Sequence, residues 1–222
     1  MIPLRDSQPS LNKPVVTGCL IAINVFVFLF EVSLDAYSRD LFVHVYGMVP
    51  ARFEWSSLIT SMFLHGGWMH LIGNMWFLWI FGDNIEDILG RWRYLLFYLA
   101  CGAAAGLTHY AFNADSRIPT VGASGAIAGV MGAYLRRFPH SRIVTLLPLF
   151  IFFTTIELPA YWLLMYWFVL QLFSGVGDLS RAGVREGGVA WWAHAGGFVL
   201  GALLVGVMEQ KRPYSTRREL NW

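Results

Sequence analysis

A hydroxyl becomes a nucleophile when a base stands ready to take its proton, and an oxyanion forms readily where donors await it. Three stretches of this chain hold residues of those types. "TVGASGAIAGVMGAY", residues 120–134, sets Ser124 between Gly122 and Gly125 in a run of small residues. "AWWAHAGGFVLGAL", residues 190–203, puts His194 three residues before Gly197 and seven before Gly201. "HGGWMHLIGNMWF", residues 65–77, spaces His70 and Asn74 four apart, on one face of a helix.

Each stretch has a chemical reading and a plainer one. At the start of a helix, free N–H groups and the dipole favour an oxyanion forming beside the Ser124 hydroxyl. A serine there also serves ordinarily as an N-cap, and small residues serve close helix packing. The soluble hydrolase elbow G-x-S-x-G is not met, because position 126 is Ala. His194 shares a face with Gly197 and Gly201, and that face would pack against the equally small helix of Ser124. As a neutral imidazole it would serve as general base; otherwise it is a hydrogen bond between helices. His70 and Asn74 both donate, as an oxyanion site requires, although Asn74 could simply bridge helices. His65 lies nearer the outer surface and reads as structural or rim-lining. No Asp or Glu stands beside His194, and Asp115 and Asp178 read as loop residues, so a dyad is expected and not a triad.

The elements that must position these residues are membrane helices. The chain is 56% hydrophobic with a mean hydropathy of +0.52, and only 14% of its 222 residues are charged. A soluble domain would carry about one-quarter charge. The net charge of +2 gives no footprint for nucleic acid. Cys19 and Cys101 lie in apolar runs and read as small hydrophobes, with no metal spacing. The polar N-terminus "MIPLRDSQPSLNKP" is unlike a cleavable signal. Apolar runs predict six spans, near 15–34, 62–82, 92–112, 123–135, 157–173 and 190–208. The stretch "VTLLPLFIFFTTIELP", broken by Pro148 and Pro159, reads as an apolar approach to the fifth. The fold class is an all-α polytopic membrane protein. Residues 15–208 form its one domain, between a short cytoplasmic segment, 1–14, and a basic cytoplasmic tail, 209–222.

With six spans, eleven of the sixteen Lys and Arg fall on the side of both termini. Arg39, Arg52, Arg117, Arg181 and Arg185 fall on the other. The positive-inside rule puts both termini in the cytoplasm. The second, fourth and sixth spans then enter from outside, and His70, Ser124 and His194 meet at one depth in the outer third of the bilayer. Intramembrane polar residues are costly and face a cavity or one another. Their shared depth is what the residues themselves say for a site. H-E-x-x-H is absent, and Asp83 and Asp87 sit together at the cytoplasmic end of one helix, which leaves no zinc site of that type and no paired-aspartate mechanism. Those acids, with Glu86, Arg91 and Arg93, read as a solvated loop network.

The ordered set of motifs resembles the rhomboid family of intramembrane serine proteases. It comprises H-x-x-x-N at His70 and Asn74, G-x-S-G at Gly122, Ser124 and Gly125, and A-H-x-x-G-x-x-x-G at Ala193, His194, Gly197 and Gly201. The resemblance covers essentially all six spans. It implies a six-helix rhomboid-like bundle in a membrane, expected to be a bacterial inner membrane. It also implies cofactor-free and metal-free hydrolysis of peptide bonds in or near the transmembrane segments of protein substrates embedded in lipid. By resemblance Ser124 is the nucleophile, His194 the base, and His70, Asn74 and the Ser124 N–H bind the oxyanion.

Two departures stand out. Ala128 occupies the position four after the nucleophile where some members carry an aromatic residue stacked on the base, which leaves Trp191 or Trp192 as substitutes. The first outer loop lacks the Trp-Arg pair of some members. The glycine-rich loop of residues 174–190 reads as a mobile cap or a plain connector. Tyr161, Trp162, Tyr166 and Trp167 on the fifth span face lipid or Trp76 and Trp79 of the second, and resemblance makes that gap a candidate gate. A catalytically silent rhomboid-like protein that binds membrane clients is the alternative, against which stands the presence of both Ser124 and His194. A proton-relay transporter would show paired repeats, and none is found.

Overall fold

The computed structural model describes residues 2–149, 152–180 and 190–209. In chain order the helices are α1 (Val15–Ser33), α2 (Ala36–Tyr46), α3 (Ser57–Thr60), α4 (Trp68–Leu89), α5 (Arg91–Phe112), α6 (Ser124–Arg137), α7 (Ala160–Ser180) and α8 (Trp191–Met208). The strands are β1 (Ile2–Asp6), β2 (Arg142–Leu149) and β3 (Phe152–Pro159). The six predicted spans correspond to α1, α4, α5, α6, α7 and α8. Among the described residues, three of these, α1, α5 and α8, are long and apolar enough by length and composition alone to cross a bilayer. The protein is an integral membrane protein, and its mostly helical architecture agrees with a six-helix bundle.

The helix with the smallest side chains lies innermost. Every residue of α6 from Gly125 to Tyr134 is buried. Glycines let neighbouring backbones close on it from two sides. A β-carbon at Gly197 would run into the Gly125 carbonyl, and one at Gly201 into the Gly129 carbonyl, so α8 rides directly on the α6 main chain. From α5, Ala105 fills the space beside Gly125 and Cys101 the space beside Gly129. Fourteen residues rise only about 21 Å, less than a hydrocarbon core of about 30 Å. The helix is therefore too short to reach both membrane surfaces, and Ser124 is its first residue.

Several boundaries move from those expected. α4 begins at Trp68, not near 62, because residues 57–63 form α3 and a turn of 3-10 helix before the Gly66–Gly67 break. α7 runs to Ser180, so Asp178 lies in its last helical turn and not in a loop. Asp115 lies in a turn, as expected. The loop between the first two spans is partly helical: Asp35 caps α2 by accepting from the N–H of Tyr37 at 3.0 Å and of Ser38 at 3.1 Å. The greater part of the glycine-rich loop, residues 181–189, and the basic tail from residue 210 lie outside the described residues.

The apolar approach to the fifth span is a β-hairpin. β2 and β3 pair antiparallel, and β1 adds to β2 to give a sheet of order β1-β2-β3. The β-branched Val144, Thr145, Thr154, Thr155 and Ile156 suit strands, and Pro159 closes the last one before α7. β1 climbs beside α4. Asn84 Nδ2 donates to the Gln8 carbonyl at 3.1 Å, and Trp76 Nε1 donates to the Pro3 carbonyl at 2.6 Å, about 12 Å further up the helix.

The acidic end of α4 is likewise no solvated ion network. Glu86 is buried and accepts from the N–H groups of Val16 at 2.9 Å and Thr17 at 2.8 Å, capping α1 from a neighbouring helix. Asp87 accepts from the Leu11 N–H at 2.9 Å and from Asn12 Nδ2. Arg93 donates to the carbonyl of Met208, the last residue of α8. These charges fasten chain ends to helix ends. Gly90, with φ +73°, makes the turn from α4 to α5 that a β-carbon would strain.

Candidate active site

Ser124 sits where the chain turns into α6, and that turn is held from three sides. Thr120 and Met48 exchange backbone hydrogen bonds of 2.8 and 3.0 Å, and the Gly122 N–H donates to the Ser61 carbonyl at 2.9 Å. The Thr120 hydroxyl meets His109 Nε2 at 3.0 Å, which gives that α5 histidine a structural duty that sequence reasoning left unassigned. Gly122 itself has φ +124°, a conformation open to glycine.

The Ser124 side chain caps nothing. The residue before α6 is Ala123, no side-chain cap bond is made, and Ser124 Oγ lies 2.7 Å from His194 Nε2. The N-cap reading of this serine is set aside by that geometry. His194 is buried on α8, one turn above the Gly197–Gly125 contact, and the glycine face brings its imidazole to α6 as the spacing predicted. Its other nitrogen, Nδ1, lies 2.7 Å from Gln171 Oε1 on α7. Three side chains from three helices thus form one hydrogen-bonded row.

On α4, His70 and Asn74 face the same turn. A β-carbon on Gly122 would come 2.7 Å from His70 Nε2 and 3.5 Å from Asn74 Nδ2. Glycine is thus required at 122 by space as well as by φ. The Gly66 N–H donates to His70 Nδ1 at 3.4 Å, so Nε2 carries the proton and points towards the residues just before Ser124. Asn74 Nδ2 meets His65 Nε2 at 3.0 Å and keeps a second N–H. His65, fully buried, takes the structural role: its own N–H donates to the Glu31 carboxylate at 3.1 Å, and its ring stands edge-on to Phe28 and His70. Asn74 does bridge within its own helix-and-loop unit, and it also faces the turn before the serine.

A profile of the Rhomboid domain matches residues 52–211, which hold all of these side chains except Glu31, Phe28 and Met48. The chain belongs to the rhomboid family. It is 36% identical over 129 residues to the rhomboid protease GluP of Bacillus subtilis, covering 56% of this chain and 25% of that one. It is 38% identical over 125 residues to the putative rhomboid protease YdcA of the same species, covering 55% and 61%. To the mitochondrial presenilin-associated rhomboid-like protein of Bos taurus it is 34% identical over 144 residues, covering 64% and 38%. The chain therefore spans between a quarter and about three-fifths of the length of these relatives.

Within this rhomboid chain the surroundings of His194 differ from expectation. Ala128 is fully buried on α6 and contributes no aromatic face. Trp192 turns away to stack on Phe112, with centroids 4.1 Å apart. Trp191 stands edge-on to the imidazole at 6.5 Å. The nearer ring is Trp167 on α7, 5.7 Å from His194 and tilted 37° to it. Trp167 also packs on Phe198 and so faces inward, unlike the exposed Tyr161, Trp162 and Tyr166. Sequence reasoning missed Gln171. Its signal was there: one amide inside the apolar run "WLLMYWFVLQLF", four residues after Trp167 and on its face.

Proposed function

We propose that this rhomboid is an intramembrane serine endopeptidase that hydrolyses peptide bonds in or near transmembrane segments, with Ser124 as nucleophile and His194 as base. The observation that carries this reading is the 2.7 Å bond between Ser124 Oγ and His194 Nε2. As Oγ attacks the substrate carbonyl carbon, Nε2 takes the hydroxyl proton. The carbonyl electrons move onto oxygen, which His70 Nε2–H, Asn74 Nδ2–H and the Ser124 N–H receive at the start of α6. The imidazolium then protonates the amide nitrogen, the C–N bond breaks, and an acyl-serine remains. Water, deprotonated by His194, attacks the ester, and the proton returns to Ser124. The scheme calls for no metal and no cofactor.

The substrates in this proposal are membrane proteins reaching the site through lipid. Sparse packing between α4 and α7 supports entry there, since α7 leans on α8 and α6, and Trp79 and Trp162 are exposed. The excess of Lys and Arg on one side supports cytoplasmic termini in a bacterial inner membrane, with residues 15–208 as the protease domain. The test is labelling of the purified protein by a fluorophosphonate probe. Wild type is expected to label at Ser124 and to cleave a reporter transmembrane substrate, whereas Ser124→Ala and His194→Ala do neither. Turnover by Ser124→Ala would reject the nucleophile, and a wild type that neither labels nor cleaves would leave the catalytically silent alternative.

A further inference from the structure

We infer that Gln171 is the positioning residue of the catalytic base, fixing the proton on His194 Nδ1 and so presenting the Nε2 lone pair to Ser124. The inference rests on the proposed Ser124–His194 chemistry and adds a third member to it. Gln171 is buried, and Oε1 lies 2.7 Å from Nδ1. Which end of the amide faces the histidine follows from its other contact. Gln171 Nε2 reaches the Trp167 main-chain carbonyl at 3.4 Å, a long bond, but a carbonyl can only accept, so the NH2 group faces it. The oxygen is then left to His194. An amide oxygen has no proton to give, so Nδ1 of the neutral ring must be the donor and Nε2 the acceptor. Only in that tautomer does the Ser124 hydroxyl donate to Nε2 across their 2.7 Å contact.

The choice of an amide over a carboxylate has a physical reason at this depth. An acid beside a buried imidazole would be a charge taken out of water, with a penalty of several kcal/mol. A neutral acceptor sets the tautomer without it. Ring orientation is then shared with packing: Trp167 tilts against the imidazole, and Phe168 stacks on Phe198 at 4.6 Å, locking α7 to α8 one turn from the pair.

The test compares Gln171→Leu and Gln171→Glu in the full-length protein, in proteoliposomes, with thermal melting measured on each. Gln171→Leu keeps the volume and loses the acceptor. Its kcat is expected to fall about 10²-fold with KM little changed, less than the roughly 10⁴-fold loss when a triad acid is replaced and the wrong tautomer forms. Gln171→Glu keeps an acceptor oxygen, so turnover is expected to recover at least tenfold over Gln171→Leu. Rescue by an acceptor of the same length separates the acceptor role from packing. A structural role alone would move melting and give no rescue of kcat by Gln171→Glu. Wild-type kcat in folded Gln171→Leu overturns the inference, as does an equal loss in both variants. Either result leaves the dyad standing if Ser124→Ala is still inactive, whereas activity in Ser124→Ala sinks the dyad itself.

Discussion

The distance between Ser124 and His194 is set by two helices in main-chain contact, and Gly201→Ala tests that directly. The new methyl carbon would lie 2.5 Å from the Cα and the carbonyl carbon of Gly129. Ordinary carbon–carbon contact is about 3.5–4.0 Å, so α6 and α8 must part by about 1 Å. These atoms and the nearer Gly129 carbonyl oxygen are all backbone, so no rotamer change relieves them. Lengthening a 2.7 Å bond by that amount carries it past the hydrogen-bonding range. Misplacement by about 1 Å costs about 10²-fold in rate, and overpacking of this kind costs about 1–3 kcal/mol of stability. Single-turnover cleavage of a transmembrane reporter, beside a thermal melt, measures both. Gly18→Ala on α1 is the matched control, because nothing lies within 4 Å of a β-carbon there. It should leave the rate alone and gain about 0.5–1 kcal/mol from helix propensity. Gly201→Ala cleaving within twofold of wild type would refute the argument that this contact fixes the catalytic distance.

Asn74→Ala and His70→Ala should each lower kcat by about 10²-fold or more with a smaller effect on KM, because they are proposed to bind charge present only in the transition state. Variants that melt early yet turn over normally per folded molecule would return Asn74 to a purely bridging role. Glu86→Ala should lower stability by about 2 kcal/mol through two uncapped N–H groups, with kcat per folded molecule unchanged; a lost rate at an unchanged melt would contradict this. In a background without Cys19 and Cys101, a cysteine at 137 should resist an impermeant reagent in intact cells while one at 117 reacts. The reverse pattern would invert the proposed orientation.

What could be read from the sequence followed the physical rule that applied. Helix positions came from runs of apolar residues, and α1, α5, α6 and α8 lie within one or two residues of their predicted bounds. The α6–α8 contact came from glycine spacing, because a three- and four-residue period puts Gly197 and Gly201 on the face of His194. The sheet did not come, since a mainly apolar stretch broken by Pro148 and Pro159 reads as an approach to the fifth span, and the partner that decides is β1, more than 130 residues away. The fixed end of α4 was misread for a related reason. A cluster of Asp, Glu and Arg suggests mutual ion pairs, but Glu86, Asp87 and Arg93 each bind backbone supplied by a distant segment.

Gln171 lacks the charge that marks the third member of an aqueous triad. A search for a third catalytic group looks for an acid beside the base, as aqueous triads have. Three carboxylates within the helices are committed to backbone N–H groups: Glu31 to His65, Glu86 to α1 and Asp87 to Leu11. Around Ser124 the hydrogen-bonding side chains are neutral in type: serine, histidine, asparagine and glutamine. Isolated ions are costly in an apolar bundle, whereas an amide brings a fixed dipole and needs only one further partner for its NH2. Trp167 supplies that partner from the preceding turn of the same helix. The mark of such a residue in sequence is therefore a lone amide four residues after an inward-facing aromatic, and not an acid near the histidine.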